Sequence, residues 1–529
     1  MKHTALLIIS LLLSHCVMAQ QTFRRRQCGT AMLMEREAAA YSKGQRAIST
    51  QNNYVPHTGT ITIPVVLVNF KDVKFKINEP KEAFEQLFNS NSDTQADLGN
   101  RNDRNYGSVA KYFRDMSNGE FTPKFKVYGP VTVDKPETYY GGKREDDNKD
   151  ENPWQLVKDA LKLVEDQVTE DDIKSFCSDG NTIDCVYIVY AGLGQNDGGD
   201  GTTVWANCST TGGATLGGKE VRWYTMSSEL SPWKIKDGTI PAVNGLGVIC
   251  HEFSHSLGLP DMYPTAESAC LDNQEMEYWD LMDGGEYTYN GFRPTAYTAF
   301  EKEQMGWPVV IKTLDSDKSV TMTTSTEQGG KAYKIVNPQN DKEYLMLEYI
   351  QRKGWNQYLF GNGLLVYHVC LPSETLDLGT HLNNAPGYPG MAVVPADGAC
   401  LSSYINNEDD YRNSLYGDLF PGTGNLQGQN VTELSDTNKQ PNFCWYNAEK
   451  TEKLNTNKAI KNIKYDNDND NGKLTFDYVN DVASGILPVW GDKQATDGRV
   501  YSINGAYLGD DITKLPHGIY IVNGQKIVK

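Results

Sequence analysis

The sequence has no surplus of basic charge, no repeat of solenoid length and almost no long apolar run. Its 50 Lys and Arg are outnumbered by 68 Asp and Glu, a formal net charge of −18. Binding a phosphate backbone needs a basic footprint, so nucleic acid is excluded as a partner. Past the N-terminus no stretch is long and apolar enough to span a bilayer. Histidine is scarce, 8 in 529 residues, which makes any clustered pair informative. The remaining composition, 39% hydrophobic and 22% charged, is that of an ordinary globular chain with roughly two to four domains.

The N-terminus reads MKHTALLIISLLLSHCVMAQQ. Lys2 gives a short basic start, Ala5 to Leu13 is mostly apolar, and VMA supplies small residues before a cut after Ala19. That is the pattern of a secretory signal peptide over residues 1–19. A lipid-anchored start at Cys16 is the rival, and His15 is a poor residue before a lipidated cysteine. The expected location is secreted or at the outer cell surface. Exported proteins usually pair their cysteines. Ten cysteines less Cys16 leaves nine, and an odd count calls for a free thiol. Cys28 is the candidate thiol, and Cys177 with Cys185 and Cys370 with Cys400 are the expected local pairs.

Residues 20–55 open on RRRQCGT, continue helix-like as AMLMEREAAAYS, and read as a pro-segment. From 56 to 310 strand and helix patterns alternate. TITIPVVLVNFKDVKF (60–75) and DCVYIVYAG are buried strands. PKEAFEQLFNS, GSVAKYFRDMSNGEF and WQLVKDALKLVEDQ have helical spacing. The alternation predicts an α/β domain. Beyond Trp307 the short runs SVTMTTST, KAYKIVNP, EYLMLEYI, GLLVYHVC and KLTFDYVN predict an all-β sandwich region over 311–484. YDNDNDNG (465–472) has the look of a calcium loop, but its glycine falls one position late and no bidentate Glu follows, so it reads as a hairpin turn. Residues 485–529 form a short β tail.

Within the α/β region lies GVICHEFSHSLGLPDMY (247–263). A helix turns about 100° per residue, so His251 and His255 leave one face a turn apart and can meet one ion. Imidazole suits zinc, which in catalytic sites takes three protein ligands and keeps an open position. Glu252, on the rim of that face, is placed to take a proton from a zinc-activated water and pass it to the leaving amine. Gly258 permits a left-handed turn that ends the helix, Pro260 discourages its continuation, and the chain then returns Asp261 to the ion as third ligand. Glu275 and Glu277 are the rivals for that place. Composition gives fewer than roughly 0.02 chance HExxH matches in such a chain, and roughly 0.0002 with the Gly and Asp also fixed. Two histidines on an otherwise apolar segment would be costly to bury without partners. Downstream, YWDLMDGGEY (278–287) puts Met282 in a tight turn, like the methionine turn that floors the metal in metzincins, and Tyr287 or Tyr289 is a candidate oxyanion donor.

On IPVVLVNFKD, GSVAKYFRDMSNGEF, DCVYIVYAG, HEFSHSLGLPDMY, YWDLMDGG, PTAYTAFEKEQMGW, GLLVYHV and LFPGTG, spanning about 60–425, the chain resembles the immune inhibitor A family of secreted bacterial metallopeptidases. The resemblance implies a metzincin-like α/β (α+β) zinc endopeptidase domain followed by β-sandwich material. It implies His251, His255 and Asp261 as metal ligands, Glu252 as general base, and protein or peptide substrates; apart from the resemblance, glycoproteins or cell-surface material are further candidate partners, which the β region could recognise. Some members bind structural calcium, for which Asp197 and Asp200 are the candidates here. RRRQCGT is similar to the cysteine-switch segments of metzincin zymogens, in which a thiolate fills the open zinc position; Gln27 separates Arg26 from Cys28 where that pattern has the two adjacent. Cleavage after Arg46 would release such an inhibitor. The last residues, DGRVYSINGAYLGDDITKLPHGIYIVNGQKIVK, are similar to the second half of type IX secretion sorting domains. His368 and His517 read as structural. The competing function is a surface adhesin or glycan-binding protein on a peptidase scaffold, and an intact Glu252 argues against it, because binding alone needs no base.

Overall fold

The computed structural model describes residues 54–91, 105–142, 150–234, 241–266, 269, 275–372, 376–401, 408–422, 430–466, 472–482, 499–503, 505–522 and 525–529. The signal peptide, Cys28 and Arg46 lie outside them. The chain divides into two units, Met1–Asn480 and Asp481–Lys529.

In the first unit the strands Lys124–Thr132, Thr62–Asn69, Ile183–Leu193 and Lys219–Lys234 lie side by side in that order, all parallel. Asn207–Thr210, Thr215–Leu216 and Pro241–Val243 pair antiparallel with Lys219–Lys234 and complete a seven-stranded sheet. Parallel strands covered on both faces read as continuous apolar runs, which is why Thr62–Asn69 and Ile183–Leu193 show little polar alternation. Ile63, Val65 and Leu67 face one core with Phe84, Tyr112 and Phe253. Val66 and Val68 face the other, with Leu156, Ala160 and Leu161. The helices Pro80–Asn89, Val109–Met116 and Leu246–Ser256 therefore cover the first face and Pro153–Val164 the second.

The helix Glu170–Ser175 is set by a capping box: Thr169 accepts from the Asp172 backbone N–H, and the Asp172 carboxylate accepts from the Thr169 N–H. Burial alone would push the Asp172 carboxyl up, but Lys126 and the Thr169 contacts outweigh it and lower it from 3.8 to about 2. Its folded value lies below its unfolded one, so this group stabilises the fold fully above the ordinary carboxylate range, and that part is lost as the pH falls from about 4 to about 2. Thr169→Ala is expected to cost about 1 kcal/mol, read as a lowered urea midpoint at neutral pH. An unchanged midpoint would remove the capping account.

After the helix Ala299–Met305 the chain is mostly β, but not all β as the sequence suggested: the helix Glu408–Ser414 interrupts it. Met391–Val393, Gly363–Cys370, Asn340–Ile350, Lys331–Asn337 and Val310–Thr313 form a five-stranded sheet. Leu434–Ser435, Ala459–Asp466, Lys473–Val479 and Lys318–Met322 form a four-stranded one. The two share a core that includes Val320, Ile335, Leu345, Val366, Ile460 and Phe476. Ala459–Asp466 and Lys473–Val479 pair antiparallel, so the acidic YDNDNDNG stretch joins two hairpin strands. In the second unit, four short strands between Val500 and Val528 form a sheet of their own.

The expected cysteine pairs do not form. Cys177 packs on one face of the parallel sheet and Cys185 on the other, so the sheet itself separates them. Cys370 clusters with Cys444 and Tyr446 rather than with Cys400. All seven described cysteines are thiols. No helix among the described residues is long and apolar enough to cross a membrane.

Candidate metal centre

The helix Leu246–Ser256 is buried along its whole length. Its N-terminal turn admits close backbone approach: a Cβ on Gly247 would lie 1.9 Å from the Glu286 carbonyl oxygen. The segment Gly284–Gly291 can therefore lie directly on the helix. At the other end Gly258 has φ +102°, and its N–H bonds the His255 carbonyl at 2.8 Å. The left-handed turn expected from the sequence is present, and a second constraint accompanies it. The Tyr54 ring lies 2.9–3.2 Å from where a Gly258 Cβ would be, and is itself stacked on Trp223 at 5.3 Å. Gly258→Ala is expected to cost roughly 1–2 kcal/mol for the left-handed backbone alone, with the Tyr54 clash added, and to weaken metal binding. Thermal melts with and without zinc would show both effects; an unchanged zinc-dependent shift would contradict the role given to this turn.

Beyond the turn the chain brings Asp261 back to the histidines. Asp261 Oδ1 lies 3.3 Å from His251 Nε2 and 3.2 Å from His255 Nε2. The two imidazole rings stand edge to face, 4.8 Å apart. One donor atom from each of the three residues falls within 4.8 Å of the others, and no other such cluster of His, Cys, Asp and Glu occurs among the described residues. Glu275 and Glu277 are not part of it; the Glu277 carboxylate accepts from the Tyr411 hydroxyl at 2.6 Å instead.

The ring tautomers follow from the partners. His251 Nδ1 faces the Leu281 carbonyl at 3.0 Å and His255 Nδ1 the Leu259 carbonyl at 2.6 Å. A carbonyl oxygen only accepts, so each Nδ1 carries the hydrogen and each Nε2 turns a lone pair toward Asp261. Two neutral imidazoles and an ionised carboxylate, buried and convergent, suit a divalent transition-metal ion with a coordination position left over.

Met282 is fully buried in the same core as the site helix, and its carbonyl accepts the Met262 N–H at 2.8 Å. The methionine turn thus bonds the residue next to Asp261. Glu252 is fully buried beside His251 on the helix. Tyr289 stacks on Tyr358 at 3.8 Å and is partly exposed, whereas Tyr287 contacts Glu286. Asp197 accepts from Asn244 at 2.7 Å and Ser228 at 3.0 Å, and Asp200 accepts from the Thr202 N–H at 2.8 Å. Asp197 thus meets the Asn244 and Ser228 side chains and Asp200 the Thr202 backbone, and neither belongs to a cluster of three donors among the described residues.

Sequence reasoning missed two groups here. Glu286 Oε2 lies 3.9 Å from His251 Nδ1. Burial pushes its carboxyl up to about 8, with His251 opposing and Asp197 adding to the rise. The second is the strap Tyr54–His57. Val55 N–H bonds the Ser256 carbonyl at 3.0 Å and His57 Nε2 meets the Leu257 carbonyl at 2.7 Å. Tyr54 and Val55, assigned by sequence to the pro-segment, are thus built onto the end of the site helix. YWDLMDGGEY contains Glu286, but nothing in its spacing marks that residue out.

Residues 50–308 match the immune inhibitor A peptidase M6 catalytic domain. The chain is 27% identical over 346 residues to immune inhibitor A of Bacillus thuringiensis subsp. alesti, covering 56% of this chain and 48% of that protein. It is 24% identical over 280 residues to the pre-pro-metalloprotease PrtV of Vibrio cholerae serotype O1, covering 46% of this chain and 29% of that protein. The chain thus spans half or less of the length of these relatives. Over residues 50–308 the chain thus carries a domain that matches the immune inhibitor A, or M6, peptidase catalytic domain, and one of the similar proteins is itself named a metalloprotease.

Proposed function

We propose that the chain is an exported zinc endopeptidase that hydrolyses peptide bonds of extracellular proteins and is made as a latent zymogen. The observation that carries this reading is the convergence of His251, His255 and Asp261, with both Nδ1 hydrogens committed to backbone carbonyls. Those three residues would hold the zinc, whose Lewis acidity lowers the pKa of a water and polarises the scissile carbonyl. Glu252 accepts the proton of the attacking water and returns it to the leaving nitrogen, so that the amine departs neutral. The Leu281 and Leu259 carbonyls keep the rings in the ligating tautomer. The buried walls exclude bulk water and strengthen every charge interaction at the reacting carbonyl. Met282 floors the site, and the mostly β region behind it forms a sandwich.

Latency in this reading comes from Cys28, whose thiolate occupies the position that the substrate water needs. Cys28→Ser is expected to shorten the delay before proteolysis appears in secreted protein; an unchanged delay would remove the switch. Cleavage of casein by the secreted protein should be abolished by a chelator and restored by zinc. A zinc-loaded chain that cut no protein would favour the adhesin reading instead.

A further inference from the structure

Two carboxyl groups meet beneath the site. Asp280 lies in the turn that leads to Met282, and Glu301 on the helix Ala299–Met305; both are fully buried. Asp280 Oδ1 accepts the Met282 N–H at 2.8 Å, and the Asp280 carbonyl accepts the Gly285 N–H at 2.9 Å. Glu301 Oε2 accepts the Thr298 N–H at 2.6 Å and the Thr298 hydroxyl at 3.0 Å, closing a capping box. The remaining oxygens, Asp280 Oδ2 and Glu301 Oε1, are buried, and no N–H or hydroxyl of the described residues reaches them. The two carboxyls instead contact each other.

Carboxylates only accept, so a hydrogen bond between two of them requires a proton on one. Two adjacent buried charges are also mutually unfavourable. Burial pushes both groups up, and a charged Asp280 pushes Glu301 further. The nearby cation, Lys302, is divided among Glu327, Glu348, Glu301 and Asp115, so it does not neutralise this pair.

We propose that Asp280 and Glu301 share one proton and act as a positioning pair, locking the methionine turn to the helix Ala299–Met305 so that the Leu281 carbonyl stays in register for His251. Leu281 stands between Asp280 and Met282 in the turn, and its carbonyl takes the His251 Nδ1 hydrogen. The pair touches neither substrate nor metal and acts through His251. The inference deepens the zinc-site reading and rests on it.

The test is infrared spectroscopy of the full secreted chain at neutral pH, joined to zinc affinity by competition with a chelator. Difference spectra should show the C=O stretch of a buried protonated carboxyl that is present in the wild type and lost in D280N and in E301Q, while the stretch of protonated Glu286 remains. Both amides can donate to the surviving carboxylate while their oxygens still accept the backbone N–H, so each should keep zinc affinity within a few-fold. Asp280→Ala breaks the lock and should weaken zinc by about 10–100-fold, as loss of a partner behind a ligating histidine does. No protonated-carboxyl band that D280N and E301Q remove, or D280N as weak as D280A, would overturn the proposal. If D280A does not fold, the band in wild type against E301Q decides. If the chain bound no zinc at all, the zinc-site reading would fail, and the infrared band would still decide whether the proton is shared.

Discussion

Glu252→Gln is expected to lower kcat/KM on casein by about 10²–10⁴-fold, the range in which a positioned general base contributes, while zinc content stays at the wild-type level. The reason lies in how Glu252 is held. It is fully buried on the site helix beside His251, and it is absent from the convergent donor set of His251, His255 and Asp261. An amide of the same shape preserves packing but cannot take up a proton. The loss should therefore appear mainly in kcat, because the base acts on the water in the transition state and not on substrate binding. Activity within a few-fold of wild type would sink the role given to Glu252. Loss of zinc together with activity would make Glu252 a ligand and not a base.

Asp261→Ala is expected to reduce zinc affinity by more than the 10–100-fold that an outer partner typically contributes, and to abolish casein cleavage. Asp261 supplies the only carboxylate in the donor set, and its Oδ1 stands within 3.3 Å of both Nε2 atoms. Removing it leaves two neutral imidazoles to hold a divalent cation. The His251 and His255 tautomers should survive, because their Nδ1 partners are backbone carbonyls and not Asp261. The variant should therefore fold and melt cooperatively while losing most of the zinc-dependent rise in Tm. A wild-type zinc-dependent rise in Asp261→Ala would return Glu275 or Glu277 to the third position.

What could be read before folding was local. His251, His255, Gly258 and Asp261 lie within eleven residues, and helical geometry plus one left-handed glycine suffices to bring them together. The strands Thr62–Asn69 and Ile183–Leu193 were legible for a similar reason, since burial on both faces leaves an unbroken apolar run. The change of texture past Trp307 likewise shows in runs that became the strands Lys331–Asn337, Asn340–Ile350 and Gly363–Cys370.

What could not be read depends on segments that meet only in space. The partner of His251 Nδ1 is a backbone carbonyl thirty residues away, and every residue type has one. Tyr54 reaches Gly258 from the far side of the parallel sheet's first strand in sequence, and its OH accepts the Leu378 N–H at 3.2 Å. No periodicity announces such a contact. Asp280 and Glu301 lie in YWDLMDGGEY and AFEKEQM, where nothing in the spacing marks them out, and folding buries both. The cysteine pairs failed because spacing does not say which face of a strand a thiol occupies: Cys185 faces the core of the site helix, and Cys177 packs on the opposite side.

The most direct test is to follow zinc and proteolysis together in one preparation of the mature secreted protein. Zinc per chain and casein cleavage would be measured as purified, after chelation, and after zinc is returned. About one zinc per chain is expected, lost and regained in step with activity, in a protein whose N-terminus lies at or before Tyr54. Cleavage that persists in stripped protein, or a zinc-replete chain with an intact Tyr54–His57 strap that cuts nothing, would contradict the account.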